Sequence, residues 1–509
     1  MVEWILPNLP NKNSYMNSTS TPRASYAALV LSTFAFIVCF SAWMINGVLV
    51  TYLVDQRVFN WSPIQIGWLM GVPVLVGSVF RLPVGILTDK FGGRWVMTFI
   101  LILCAIPMYF LSYANNYSTF LLLSFCFGLG GTSFAAGVAY TSLWFSKEKQ
   151  GTALGIFGAG NIGAAFTTIF APSLLKKITN NGADIENWRA LPQLYAALLV
   201  ITAIVFFIFA KNKISPVSKS MVQRLMPLKE VRVWRFGLYY FFVFGAFVAL
   251  SQWLIPYYVN VYSLSIVSAG FMAAAFSLPA GLFRAAGGWL SDKVGARMLL
   301  IWTLSVCLIC MIFLFIPRME IQAPGQGIMS KKAGKVMAVS NSEILIGSDV
   351  YTLQDKAGDA SNVTIRFGIH HDQEGFLFLP TTTFHQVPNV KVGEEVKKGD
   401  LIAKGVSLIY FQANKWIFTT LVFIIGIMMG LGGAAVFKHI SDYYPNNIGT
   451  VGGIVGVLGG LGGFCGPIIF GFLLKQTGIW TSCWMFLAAL VMLCIVLQRT
   501  AIKALLKNN

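Results

Sequence analysis

Val79-Phe80-Arg81-Leu82-Pro83-Val84-Gly85-Ile86-Leu87-Thr88-Asp89-Lys90-Phe91-Gly92-Gly93-Arg94 is the stretch whose reading decides the fold. Its pattern returns in Leu282-Phe283-Arg284-Ala285-Ala286-Gly287-Gly288-Trp289-Leu290-Ser291-Asp292-Lys293-Val294-Gly295-Ala296-Arg297. Laid over each other without gaps, Phe80/Phe283, Arg81/Arg284, Gly85/Gly288, Asp89/Asp292, Lys90/Lys293, Gly92/Gly295 and Arg94/Arg297 coincide. Such agreement implies an internal duplication. Each arginine precedes its lysine by nine residues, which is about 13 Å along a helix. With the lysines at the water boundary, both guanidinium groups stand near the middle of a ~30 Å hydrocarbon layer. A charge is costly there and marks a functional site.

Of the 509 residues 56% are apolar and 11% charged, and long uncharged runs recur. This is the composition of a polytopic α-helical membrane protein. The net charge of +18 does not imply nucleic-acid binding, because loops that face the cytoplasm are expected to be basic. Cys39, Cys104, Cys126, Cys307, Cys310, Cys465, Cys483 and Cys494 all fall in apolar stretches without metal-ligand spacing. Cys307 and Cys310 form a CxxC inside a membrane span, which reads as packing. The spans hold no nucleophile–base pair and no metal set, so neither an enzyme nor a cofactor is expected. Residues 1–26 form a polar tail without a basic-then-apolar start, and the first span is expected to act as its own insertion signal.

Apolar runs of about 18 residues or more predict twelve spans. They lie near 27–54, 63–88, 95–114, 117–145, 151–175, 190–210, 236–262, 265–290, 297–316, 415–437, 447–474 and 480–498. The chain divides into an N-terminal six-helix half (27–210), a basic linker (211–235) and a C-terminal half. That second half is split into 236–317 and 415–498 by an insert at 318–414, and a basic tail follows at 499–509. The linker carries Lys211, Lys213, Lys219, Arg224, Lys229, Arg232 and Arg235. It shares one side of the bilayer with Lys90, Arg94, Lys293, Arg297 and the tail, so that side and both termini are expected in the cytoplasm.

Two six-helix halves joined by a basic linker, with matched sequence in helices 2 and 8, resemble the major facilitator superfamily. The repeated block resembles that family's signature loop. The resemblance implies a role in gating for Gly85, Asp89, Lys90 and Arg94, and for Asp292, Lys293 and Arg297. Without it, the same residues read as a capping turn with basic anchors.

Three glycine-rich runs follow, Gly128–Gly137 in helix 4, Gly151–Ala165 in helix 5 and Gly449–Gly466 in helix 11. In water so many glycines would weaken a helix by nearly 1 kcal/mol each. In lipid, the ladders Gly155-Ala159-Gly163 and Gly452-Gly456-Gly460 let a neighbouring backbone approach closely. They are expected to let helices 5 and 11 slide against helices 2 and 8. No strand precedes them, which argues against a nucleotide loop.

These runs, the paired arginines and an Asn in helix 5 resemble the nitrate/nitrite porters of the superfamily. The tracts Trp144–Gly151 and Phe437–Pro445 are similar to that family too, and the likeness omits only the insert. It implies that Arg81 and Arg284 grip the anion, with Asn161, Gly158, Gly160, Gly459 and Gly463 lining its path and Phe134 as an aromatic wall. The alternative for Asn161 is a hydrogen bond between helices without contact to the ligand.

The insert has strand-like stretches at Lys335–Val339, Glu343–Ile346 and Val363–Phe367, separated by turn residues. Its run Val390–Gly405 resembles the barrel-sandwich β-module in the β subunit of bacterial RNA polymerase, and more distantly lipoyl and biotinyl domains. Asp355-Lys356-Ala357 is similar to a lipoyl attachment site but stands in the reverse order, so a swinging-arm cofactor is not expected. His370, His371, Asp372 and His385 read as a solvated loop rather than a metal site. Between helices 9 and 10, this small all-β domain is expected outside, in the periplasm of a cell with two membranes, and its partner is not readable.

Two facing cations call for a small anion. Arginine offers a planar fork and a permanent charge, and nitrate and nitrite are planar and weakly hydrated. The expected protein is a bacterial inner-membrane transporter of nitrate or nitrite, working as a monomer in the bilayer without nucleic acid. Asp55, Asp89, Glu148, Asp292 and Asp442 all fall at helix ends or in loops, so no midplane carboxylate offers a proton relay. That favours exchange, whereas the helix 4–5 and 10–11 tracts are more similar to the proton-symport branch, and both modes stay open. A carrier of small organic anions, or a receptor that senses through the β domain, are the alternative functions.

Overall fold

The structure is a computed structural model that describes residues 22–214, 226–316, 319–353, 364–367, 381–411, 414–444 and 448–507. Among them, eleven helices are long and apolar enough to cross a membrane, and a bent pair makes a twelfth span. In chain order they are α1 (Arg23–Asp55), α2 (Pro63–Val79 with Arg81–Phe91), α3 (Gly93–Tyr113), α4 (Tyr117–Ser142), α5 (Thr152–Ile178) and α6 (Ile185–Phe209). The second half holds α7 (Val231–Tyr262), α8 (Ile266–Val294), α9 (Ala296–Phe313), α10 (Lys415–Tyr443), α11 (Thr450–Thr477) and α12 (Ser482–Ile502).

The two arginine helices are not copies in shape. α8 runs unbroken for 29 residues, whereas α2 bends by 41° at Phe80, immediately before Arg81. The sequences differ where it matters, with Pro83 in the first turn of the second α2 segment and Ala286 at the matching place in α8. Proline removes a ladder hydrogen bond and crowds the carbonyl four residues back, which bends the helix.

Several helices outrun their expected ends. α7 starts at Val231 rather than 236, α10 continues to Tyr443 and α12 to Ile502. Charge ends the hydropathy signal, but backbone hydrogen bonding carries each helix on into the polar interface. Arg232 and Arg235, assigned to the linker from sequence, therefore stand on α7.

The halves meet along α2 with α11, α5 with α8 and α1 with α7. On the side where the insert lies, small residues bring backbones into contact. Gly67 packs on Pro467, Gly71 on Phe464, Gly471 on Pro63, Gly270 on Thr168 and Gly281 on Ile162. The sliding face expected of α5 and α11 is thus supplied mainly by glycines of α2 and α8. Gly160 and Gly163 in α5 instead face Phe36, Ile37 and Ser41 of α1, and Gly459, Gly462 and Gly466 in α11 face α7. Gly460 against Ser78 and Gly463 against Val74 are the α11 contacts that follow the expectation.

On the opposite side the pattern inverts. A Cβ added at Gly85, Gly155, Gly288 or Gly453 would meet nothing within 4 Å. Gly85 and Gly288 stand four residues beyond Arg81 and Arg284, on the same helix faces. The interface is tight on the side of the insert and loose on the other.

The insert forms two four-stranded sheets, ordered β5-β1-β8-β6 and β4-β3-β2-β7. Its strands are β1 (Met319–Met329), β2 (Gly334–Val339), β3 (Glu343–Ile346), β4 (Asp349–Thr352), β5 (Thr364–Phe367), β6 (Thr381–Pro388), β7 (Glu395–Val396) and β8 (Leu401–Phe411). Val336, Ile344, Ile346, Val396 and Ile402 form a core of its own. Gly393 and Gly399, both at φ +91°, make the tight turns around β7 that the run Val390–Gly405 foreshadowed. Of the histidine group, His385 is buried on β6, while His370, His371 and Asp372, like Asp355-Lys356-Ala357, lie outside the described residues.

β1 pairs with β8 antiparallel from Met319↔Phe411 to Met329↔Leu401. The chain therefore leaves α9 and returns to α10 on adjacent strands, and the domain stands on that ribbon. A module with adjacent ends and its own core can be removed with little strain. Replacing 320–412 by a short Gly/Ser linker is expected to leave a monodisperse helical protein that melts within ~5 °C of the parent. Aggregation in detergent, or a larger drop, would show that the helices depend on the insert.

Candidate functional site

Arg81 and Arg284 are 3% and 7% exposed, and both reach the interface between the halves. Arg81 donates from Nη1 to the Gly456 carbonyl of α11 at 2.7 Å and from Nε to the Gly131 carbonyl of α4 at 3.4 Å. The first of these bonds crosses from one half to the other. Arg284 donates from Nη2 to the Tyr240 hydroxyl at 2.7 Å, within its own half.

Both guanidinium groups lie over the same two rings. Their central carbons are 5.3 and 5.5 Å from the Phe134 centroid and 5.2 and 5.8 Å from that of Phe244. The negative faces of these rings attract cations, yet they cancel no charge. Among the described residues, neither arginine has a carboxylate partner. Five N–H donors on each guanidinium exceed the bonds made, so each group retains donors for a ligand.

A small cavity opens beside Arg284, lined by Asn161, Phe244, Phe247, Ala280, Met429 and Gly433. Asn161 is 2% exposed, and its Oδ1 has no hydrogen-bond partner. An unpaired buried amide costs about 1–3 kcal/mol, a cost that a functional role in the cavity would explain. Toward the insert, the cavity is roofed by Phe247, which stacks on Phe40 at 6.4 Å and lies 5.7 Å from Phe276. On the other side Phe134 and Phe437 meet edge to face across the halves at 6.3 Å.

The structure thus gathers Arg81, Arg284, Asn161, Phe134 and Gly158 into one place. Gly158 leaves room for Arg284, since a Cβ there would sit 3.1 Å from Nε. Gly160, Gly459 and Gly463 turn their open sides to Phe36, Tyr240 and Val248, so in this conformation they pack helices together and do not face the arginines. Gly456 and Gly433 lie beside the arginines instead, with Cβ positions 3.6 Å from Arg81 Nη1 and 3.9 Å from the Arg284 guanidinium. Tyr240, Phe244 and Phe437 were missed. The available signal was the Tyr240/Phe244 pair, four residues apart and stacked at 5.0 Å. It coincides with a π-helical stretch at Phe241–Ala246, a distortion frequent at functional sites.

The repeated loops keep their symmetry. Gly92 at φ +86° and Gly295 at φ +83° end the two arginine helices in the same left-handed turn. Asp292 pairs with Lys438 at 2.8 Å, and Arg297 donates to the Tyr443 hydroxyl at 3.1 Å. Arg94 donates to the Phe207 carbonyl at 2.8 Å, while Lys90 lies over Phe91 and Lys293 over Trp289. Each of these partners belongs to the same half as its loop, consistent with an interface that is loose on this side. Just past α10, Tyr444 donates to Glu230, and burial with that carboxylate pushes its pKa up to about 12.

Residues 31–327 match the Major Facilitator Superfamily. The chain is 36% identical over 457 residues to the probable nitrate/nitrite antiporter NarK1 of Thermus thermophilus, covering 89% of this chain and 86% of that one. It is 31% identical over 277 residues to the nitrite extrusion protein of Bacillus subtilis, covering 54% and 67%. A probable nitrate/nitrite transporter of Mycobacterium tuberculosis is 32% identical over 292 residues, covering 56% and 71%. In fold, the chain is similar to a bacterial homolog of the human lysosomal transporter Spinster in an inward-facing, occupied conformation. That match has a TM-score of 0.61 at 14% identity, over 96% of this chain and 99% of that one.

The chain belongs to the major facilitator superfamily, whose members are membrane transporters. Within it, the chain belongs to the nitrate/nitrite porters.

Crowding Arg284 from Gly158 should be costlier than crowding it from Gly433, where an added methyl makes ordinary contact. Gly433→Ala is expected to keep small-anion binding within ~2-fold, and Gly158→Val to weaken it by ~10-fold. Titration of the purified variants checks this, and equal affinities would remove Gly158 from the site.

Proposed function

We propose that this chain carries nitrate and nitrite across the cytoplasmic membrane by alternating access, with the anion held between Arg81 and Arg284. The observation that carries this reading is the pair itself, two buried cations from opposite halves that share two aromatic faces and have no carboxylate partner among the described residues. A planar monoanion fits such a place, accepting from both forks while its faces rest on apolar rings. Phosphate and sulfate, more strongly hydrated, lose more on entering it. The names of the relatives support the same substrates.

The empty site has an electrostatic consequence. Two like charges repel by roughly 2 kcal/mol at a separation on the order of 8 Å and an effective dielectric of about 20. That disfavours close approach of the halves by roughly 30-fold. An anion between the arginines reverses the sign, so the loaded carrier closes and reorients while the empty one does so poorly. This mechanism favours exchange, and a proton carried with the substrate or through water would equally serve uptake.

Orientation follows from charge. Lys90, Arg94, Lys211, Lys213, Lys229, Arg232, Lys293 and Arg297 lie in loops or at helix ends on the side opposite the insert, which becomes the cytoplasmic side. The β domain then faces outward and both termini inward, and the loose side of the interface is the inner one. Asp292, Lys293, Arg297, Gly85, Asp89, Lys90 and Arg94 would close this side when the halves rock together.

Arg81→Lys and Arg284→Lys are each expected to cut nitrate uptake by ~100-fold at normal expression, because a point charge cannot replace a bidentate fork. Uptake within ~3-fold of the parent in either variant would end the paired-clamp reading.

A further inference from the structure

Besides the bond from Arg81 to Gly456, a hydrogen bond between the halves lies away from the anion site. Gln252 of α7 donates from Nε2 to the Met70 carbonyl of α2 at 3.2 Å, on the side of the β domain. Gln252 is fully buried, and Gly47 of α1 packs so closely that a Cβ there would lie 2.9 Å from the Gln252 Cα. Asn46, next in the chain and equally buried, donates to the Leu69 carbonyl at 2.6 Å and to Ser124 Oγ at 2.9 Å. The two accepting carbonyls are consecutive on α2. Pro73, four residues after Leu69, has no N–H, so the Leu69 carbonyl lacks its helical donor.

Two amides from opposite halves thus hang on one weakened turn, and each uses only its nitrogen. Asn46 Oδ1, Gln252 Oε1 and the adjacent Ser251 Oγ are all buried without a partner. A purely apolar contact between the halves needs none of them, as Phe40 of α1 stacked on Phe247 of α7 shows. The net gain from one neutral hydrogen bond is smaller than the cost of burying an unsatisfied amide oxygen. Gln252 therefore destabilises the closed outer side relative to an open one, in which water reaches Oε1.

We propose that Gln252 is a positioning residue of the outer gate, a polar side chain that keeps the outer closure reversible. The idea rests on the anion-carrier reading for its transport readout, while gate accessibility tests it independently. Gln252→Met preserves length and shape, loses the bond to Met70 and removes the unpaired oxygen. It is expected to hold the carrier closed on the outer side. Exchange of labelled nitrate should slow by ~10-fold while the affinity measured from the inner side stays within ~2-fold. An Ile468→Cys reporter lies between α2 and α11, where Ile468 faces Gly67 and Gly71. In the Met variant this cysteine should react more slowly with an impermeant maleimide applied outside.

Gln252→Glu should act in the opposite sense, because an ionised carboxylate is costlier still to bury; labelling at pH 8 should rise above the parent. Parental exchange and labelling in the Met variant, or faster labelling there, would overturn the proposal, as would slower labelling in the Glu variant. Failure of the parent itself to exchange nitrate would instead overturn the anion reading and leave the labelling comparison intact.

Discussion

Like-charge repulsion between Arg81 and Arg284 is the constraint on which the rest of the structure depends. Two guanidinium groups in an apolar interior can coexist only if something else satisfies them. Here backbone carbonyls, one tyrosine hydroxyl and the faces of Phe134 and Phe244 supply the partial compensation. Dipoles and quadrupoles leave a net field that an anion is needed to cancel. In the proposed mechanism, substrate binding is therefore the completion of an unfinished electrostatic arrangement rather than an added contact.

The two arginines divide that task unequally. Pro83 bends α2 at Phe80 and starts a new helical segment at Arg81, whose guanidinium reaches across to Gly456 of the other half. Arg284 rides on an unbroken α8 and stays tied to Tyr240 of its own half. A duplicated sequence has thus yielded one arginine that bridges the interface and one that is anchored. Around them, glycine contacts seal the side of the β domain, while Gly85, Gly155, Gly288 and Gly453 leave the other side loose. The packing asymmetry and the bonding asymmetry describe the same conformation.

Much of this was legible in the chain because membrane sequences are read by simple rules. Uncharged length marks the spans, and a charge inside a span is rare enough to be noticed, so Arg81, Arg284 and the repeat stood out. The gaps also have physical causes. Tyr240, Phe244 and Phe437 are aromatic residues in helices full of them, and only the rotation of α7 and α10 selects these three. Glycines have no side chain to show direction, so Gly160, Gly459 and Gly463 could not be told from Gly456 and Gly433 until neighbouring helices were in place. Charged residues end the hydropathy signal before the helix itself ends, which hid the true starts and stops of α7, α10 and α12. The β insert was recognisable by strand-like stretches between turn residues and by the run Val390–Gly405, whereas the β1–β8 ribbon that carries it spans more than 90 residues of chain and has no local signature.

The central claim is that a small planar anion between two arginines is what allows the halves to exchange sides. Counterflow tests it most directly, with purified protein in liposomes, labelled nitrate outside, and nitrate, nitrite, acetate, sulfate or nothing inside. The account predicts that labelled nitrate accumulates transiently against internal nitrate or nitrite and not against sulfate or an empty lumen. Equal acceleration by acetate, or accumulation into empty liposomes at the same rate without a pH gradient, would contradict it.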